Sequence, residues 1–380
     1  MTNGVMIGGT CDERFARVRE AFEANFESGA EVGASFAATV EGSYVVDLWG
    51  GYKDAARTRP WERDTIVNVW STTKAMASTC AHMLVDRKLL DLDAPVAKYW
   101  PEFAQAGKAD IPVRYILSHK AGLPVIRERL PTEAFYDWER VVTAIAAQKP
   151  TWEPGTKHGY HAMTFGYIVG EIVRRITGKT IGTFFREEIA MPLGADFHIG
   201  LDERDDHRVA EMIPPVIRSS EAASSESALA QMITSPRVRP DVPNTRAWRA
   251  AEIPAANGQG NARSATRVMA ALACWGQIDS VYLMRESTLR KAIEEQANGP
   301  DLVLGVPMRW GLGYMLASKD TAWTAPNPNT FGHAGWGGSV AVADMDAQVS
   351  WAYVMNKMDI GTTGDIRAQR LSKALYDSLV

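Results

Sequence analysis

"NVWSTTKAMAS", residues 68 to 78, carries Ser71 three positions before Lys74, where an extended apolar segment gives way to helical periodicity. On a helix that spacing puts both side chains on one face. A serine hydroxyl is a weak nucleophile until a base takes its proton, and a lysine serves as that base only if its pKa is lowered. A helix N-terminus disfavours the ammonium and favours the alkoxide, and burial pushes the lysine further towards neutrality. The stretch reads either as a catalytic dyad or as an N-cap serine followed by a solvated lysine. A chance Ser-x-x-Lys arises on the order of once in a chain of this composition, so its surroundings have to decide.

Working outward, Met76, Cys80, Met83 and Leu84 extend an apolar helical stripe to about Lys88. Upstream, Phe15, Val18, Phe22 and Phe26 follow Asp12 and predict an amphipathic helix over residues 12 to 28. "GASFAATVEGSYVVDLWGGY" then alternates as two strands around a Glu41-Gly42 turn. Downstream, helices are predicted over 132 to 148, 163 to 177 (closed by Gly178), 180 to 190 (stopped by Pro192), 264 to 276 and 286 to 297. Residues 213 to 260, rich in Pro, Ser and Ala, read as a long irregular loop near the active site. "FGHAGWGGSVAVADMDAQVSWAYVMNK" reads as two strands joined near Asp344 to Gln348, and a last helix runs from about Asp365 to Ser378. Strands at both ends with helices between predict an α+β fold, an antiparallel sheet flanked by the N- and C-terminal helices with a mainly helical insertion. The expected boundaries are 1–70 with 255–380 for the discontinuous sheet domain and 71–254 for the helical one.

Composition narrows the class. With 380 residues, 46% hydrophobic and 23% charged, the chain has the make-up of an ordinary globular protein. A formal net charge of -4 supplies no basic field for nucleic acid. Cys11, Cys80 and Cys274 form no CxxC arrangement, which disfavours a disulfide framework or zinc site. "MTNGVMIGGTCDERF" has neither a basic n-region nor an apolar h-region, and no later run approaches a membrane span, so the expected location is the cytoplasm.

Several motifs fail. "TGKT" at 177 to 180 lacks the first glycine of a phosphate-binding loop and ends a helix instead of opening one. "GQGNAR" and "GWGGSV" lack the last glycine of GxGxxG, and no GxSxG elbow is present. His158 and His161 have no third ligand at convincing spacing, so neither a metal nor a cofactor is expected.

Three further segments settle the reading of Ser71. "YILSHKAGLP" (115 to 124), "EPGTKHGYHAMTFGYIVGEIVRRITG" (153 to 178) and "FGHAGWGGSVAVAD" (331 to 344) resemble, in order and approximate spacing, segments of the serine β-lactamase and penicillin-binding-protein superfamily. The chain resembles especially its class C branch and the family VIII carboxylesterases, from about residue 15 to residue 375. The resemblance implies that fold, an α/β sandwich with an inserted helical domain. It also implies Ser71 as acylated nucleophile, Lys74 as its proton partner and Tyr160 as the shared base that later protonates the leaving group. The Ser71 and Trp336 amides become an oxyanion hole, and His333, Gly335, Trp336, Gly337 and His161 line the substrate site. Gly335, lacking a Cβ, is expected to let substrate approach the strand edge. His119 reads as a structural loop histidine, and Trp152, Trp310 and Trp351 as core or pocket wall.

Two departures shift the expected substrate. The lactamase Tyr-x-Asn is here Tyr160-His161-Ala162, without the amide that grips a lactam's acylamino arm. The third motif's lysine is replaced by His333, largely neutral at pH 7 and a poor magnet for a carboxylate. The first expectation is a carboxylesterase acting on small-molecule, short-chain esters. The alternatives are a β-lactamase or D-amino-acid peptidase, and a non-catalytic binding protein on the same fold.

Overall fold

In the computed structural model, residues 5–216, 236–319, 321 and 323–379 are described. Near the N-terminus lie β1 (Ile7–Cys11), β2 (Gly33–Val40) and β3 (Ser43–Gly51). Glu41 and Gly42 join β2 to β3 with positive φ at both, 49° and 79°, the tight-turn geometry whose twist suits a hairpin. From the other end come β4 (Ala297–Pro300), β5 (Pro307–Trp310), β6 (Met315–Leu316), β7 (Thr330–Ala334), β8 (Val340–Asp344) and β9 (Val349–Met355). They form one antiparallel sheet in the order β1-β3-β2-β9-β8-β7-β6-β5-β4. Next to its centre lies the β2–β9 pair, with Val40 opposite Val349 and Ala34 opposite Met355, so the two ends of the chain meet inside the sheet as expected.

Both faces of that centre are covered, since β8 and β9 are buried throughout and β2 up to Thr39. Among the helices are α1 (Ala16–Glu27), α2 (Thr73–Asp86), α3 (Trp138–Ala147), α4 (Thr164–Thr177), α5 (Ala262–Ala273) and α6 (Ile366–Asp377). α5 lies against β2, β8 and β9, where the Ala262 amide donates to Ser35 Oγ at 3.2 Å and Thr266 Oγ1 to the Ala37 carbonyl at 3.1 Å. The alternate residue Phe36 points to the opposite face and stacks on Trp351 at 6.0 Å. The terminal helices α1 and α6 pack on each other.

α2 threads the interior, with every residue from Thr73 to Leu84 buried. It starts two residues later than predicted, so Ser71 sits in the turn that delivers the chain to the helix. Several other boundaries differ from expectation. The predicted helix over 132 to 148 is a 3₁₀ turn, Thr132–Tyr136, and then α3, broken where Asp137 caps the Arg140 amide. The 180 to 190 helix passes through Pro192 to a left-handed Gly194, a proline being harmless in the first turn of a new helical segment. α5 is capped by Asn261 and not Ser264. The helix predicted over 286 to 297 stops at Ala292, before β4 begins. Part of 213 to 260 is ordered after all, with a short helix Arg246–Ala250 capped by Thr245 and a strand Gln259–Gly260, while 217–235 lies outside the described residues. No helix among the described residues is long and apolar enough to cross a membrane.

Candidate active site

Trp70, immediately before the serine, takes φ +48°, a left-handed conformation costly for a bulky side chain. The surroundings hold it there. Its carbonyl accepts from the Thr73 amide at 3.0 Å and from Thr73 Oγ1 at 2.5 Å, and its indole packs between Trp248 at 5.7 Å and Trp336 at 5.0 Å. The result is a sharp bend that leaves Ser71 half-buried beside Lys74.

Lys74 is fully buried, and its Nζ lies 3.2 Å from Ser71 Oγ, 2.7 Å from the Ala162 carbonyl and 3.0 Å from the Ala255 carbonyl. No carboxylate pairs with it among the described residues, and burial alone holds its pKa well below the ordinary 10.5. A neutral amine has two N–H bonds and one lone pair. The two carbonyls take the N–H bonds, which leaves the lone pair to the Ser71 hydroxyl.

Tyr160 closes the other side, its ring centroid 4.6 Å from Lys74 Nζ. Burial pushes its pKa well above the ordinary 10, opposed in part by the Ser71 hydroxyl it faces, so its phenol stays protonated in the resting site. Trp310 stacks on it almost flat, at 5.5 Å and 8° between planes.

The third-motif stretch is two strands with a turn between them. β7 ends at Ala334, and Gly335 to Ser339 form the turn. Ser339 Oγ donates to the Val69 carbonyl at 2.7 Å and lies 3.0 Å from Thr72 Oγ1, which fastens this turn to the nucleophile's loop. Among the described residues neither the Ser71 nor the Trp336 amide has a protein acceptor, whereas the Gly335 and Gly337 amides are taken by Ser339 and Gly361. His333 is buried and donates Nδ1–H to the Ala334 carbonyl at 2.7 Å. Its Nε2 therefore carries the lone pair and has no protein partner. Burial and the nearby Lys74 lower its pKa to about 3, so it is neutral.

The structure thus brings Ser71, Lys74, Tyr160, Trp336 and His333 together, and gives the other three expected substrate contacts protein neighbours of their own. His161 is fully buried with both ring nitrogens engaged, Nδ1 with the Gly159 carbonyl at 2.7 Å and Nε2 accepting from the Leu123 amide at 3.0 Å. It braces the tyrosine loop and has nothing left for a ligand. A Cβ on Gly335 would stand 2.3 Å from the Val69 carbonyl oxygen and from Ser339 Oγ, so the missing Cβ makes room for the loop–strand contact. Gly337, at φ +94°, turns into the protein against Met358. His119 is a loop residue at φ +59° whose Nδ1 accepts from the His161 amide at 3.1 Å.

Two contributors went unread in the sequence. The Ala255 carbonyl shares Lys74, and Asp301 Oδ1 accepts from the Tyr160 amide at 2.9 Å. A backbone carbonyl leaves no mark on residue identity, and Asp301 sits in "NGPDLVLG", which reads as an ordinary turn.

An antiparallel sheet flanked by helices, with a serine–lysine pair at the head of a buried helix, defines the β-lactamase/transpeptidase class of serine hydrolases. Comparison with known proteins agrees, and the chain belongs to the beta-lactamase family, whose sequence model matches residues 18–375. It is 35% identical over 367 residues to the esterase/beta-lactamase LipL of Mycobacterium tuberculosis (strain ATCC 25618 / H37Rv), covering 93% of this chain and 84% of that protein. Among solved structures it is similar to a family VIII carboxylesterase at 47% identity and TM-score 0.92, over 98% of this chain and 100% of the other. A penicillin-binding-protein homologue from Caulobacter crescentus is 40% identical with a TM-score of 0.89, over 98% and 100%.

Proposed function

We propose that the protein is a serine carboxylesterase that cleaves short-chain esters through an acylated Ser71. The observation that carries this reading is the Lys74 geometry, a buried amine whose pKa burial lowers, bonded to two backbone carbonyls and 3.2 Å from Ser71 Oγ. Lys74 takes the hydroxyl proton as Oγ attacks the ester carbonyl. The oxyanion that develops is met by the Ser71 and Trp336 N–H groups, each such donor being worth roughly 10²- to 10³-fold in rate. Lys74 is now an ammonium 4.6 Å from the Tyr160 ring, and its charge eases loss of the phenol proton to the departing alkoxide. The C–O bond breaks, the alcohol leaves, and the phenolate then takes a proton from the water that attacks the acyl-enzyme. Collapse of the second tetrahedral species expels Ser71 Oγ, which takes its proton back from the Lys74 ammonium, and frees the acid.

An ester is favoured over a lactam because His333 is uncharged where a carboxylate-bearing substrate needs a cation, and because His161 cannot turn a polar group to the site. The likeness to a family VIII carboxylesterase supports the same choice. Lactam hydrolysis, as main or side activity, is the second reading, favoured by the likeness to LipL, whose name joins both activities.

Turnover of p-nitrophenyl acetate by wild type, Ser71→Ala, Lys74→Ala and Tyr160→Phe tests the proposal. Each of the last two is expected to lower kcat by about 10²- to 10⁴-fold. Undiminished activity in Ser71→Ala overturns the reading, and nitrocefin turnover comparable to ester turnover promotes the lactamase.

A further inference from the structure

Asp301 is buried at 1% exposure and spends its whole carboxylate on one neighbourhood. Oδ1 accepts from the amides of Tyr160 at 2.9 Å, Val303 at 2.9 Å and Leu304 at 3.0 Å. Oδ2 accepts from the Trp310 indole N–H at 3.3 Å. The indole it orients is the one lying flat on the Tyr160 ring at 5.5 Å. The link is closed on the other side as well, since the Leu302 amide donates to the His158 carbonyl at 3.2 Å. One carboxylate therefore fixes the tyrosine from two directions, by its backbone and through the aromatic plane against its ring. Charge-assisted bonds of this kind are stronger and more directional than neutral ones. No cation pairs with Asp301 among the described residues, so these four N–H groups are what solvates the charge.

We infer that Asp301 is a positioning residue for Tyr160, acting through the Tyr160 amide and the Trp310 indole to hold the phenol oxygen where it can meet Ser71. This rests on the proposed role of Tyr160. A catalytic group misplaced by about 1 Å can cost on the order of 10²-fold in rate, which sets the scale of the effect. A role in placing the phenol predicts a loss in kcat and not in KM.

The test is a double-mutant cycle on p-nitrophenyl acetate hydrolysis with Asp301→Ala and Tyr160→Phe, singly and together, each variant checked for folding by circular dichroism and thermal melting. Tyr160→Phe alone reports on the parent reading, and an unchanged kcat there overturns that reading. With that loss in hand, Asp301→Ala is expected to lower kcat by about 10- to 100-fold with KM within about twofold, and to add little when Tyr160 is already Phe. Asp301→Asn keeps the oxygen that accepts the Tyr160 amide and is expected to recover most of the loss. Equal fold-losses from Asp301→Ala with and without the tyrosine hydroxyl overturn the inference. So does a loss that appears in KM alone. If Asp301→Ala does not fold, Trp310→Phe serves in its place, removing the indole N–H while keeping a ring, with the same non-additivity expected and additivity again overturning it.

Discussion

Lys74 shows how far one residue can be taken from sequence physics. The spacing to Ser71 and the position before a helix were legible, and so was the need for a lowered pKa. What was not legible is that the helix begins at Thr73, and that the amine's partners are two backbone carbonyls from distant segments, those of Ala162 and Ala255. A cost to stability follows. In the folded chain Lys74 loses its proton well below 10.5, while in the unfolded chain it keeps it up to about that value. Between the two the unfolded state binds more protons, so folding stability rises with pH across the window. Lys74→Met removes that penalty and is expected to lower kcat as Lys74→Ala does while raising stability at pH 7 by about 1 kcal/mol. The gain should shrink as pH climbs towards 10.5, where the unfolded lysine also becomes neutral. Urea unfolding of both proteins across that range checks this, and a Met variant that is less stable at pH 7, by a margin independent of pH, speaks against it.

At the scale of elements, the sequence located what periodicity could locate. The β2–β3 hairpin, α1, α4 and α6 lie where the alternation and the caps put them, because each is long enough to repeat a pattern. The sheet strands β4, β5 and β6 escaped because they are two to four residues long and carry Gly or Pro, or too few side chains to alternate. The third-motif segment read as one strand because Gly335 to Gly338 hide a turn among glycines. That turn depends on one absent Cβ. Gly335→Ala would set a methyl 2.3 Å from the Val69 carbonyl oxygen, so the turn must retreat from the nucleophile's loop and give up the Ser339–Val69 bond. Expected are a loss of about 1–3 kcal/mol, as for other overpacked sites, and a kcat lowered by about 10²-fold as the proposed Trp336 donor shifts. Gly29→Ala is the control. Unlike Gly335 it has positive φ, but a Cβ there meets nothing within 4 Å, so it should cost stability and leave kcat alone.

On the scale of the whole molecule, a sheet closed by the two ends of the chain makes the active-site turn depend on residues far from it in sequence. Arg367, 3% exposed near the start of α6, donates to the Gly337 carbonyl at 2.7 Å. The same guanidinium is gripped by Asp365 at 2.6 Å, reaches Glu31 at 3.2 Å just before β2, and bonds the Lys357 carbonyl at 2.8 Å just after β9. One side chain thus ties the entry to β2, the exit from β9 and the head of α6 to the turn that carries the Trp336 amide. Sequence reading had no access to it, since an arginine inside a predicted amphipathic helix looks solvated until the partners from residues 31, 337 and 357 are known. Arg367→Met keeps much of the volume but leaves the buried Glu31, and Asp365 beside it, without their counter-charge, and removing one member of such a buried pair costs about 3–5 kcal/mol. The urea midpoint is expected to fall accordingly, and kcat on p-nitrophenyl acetate to fall with it under conditions where the variant remains folded. A variant that loses stability yet retains full kcat would show that the Gly361 carbonyl, which holds the Gly337 amide at 2.9 Å, is enough to place the turn.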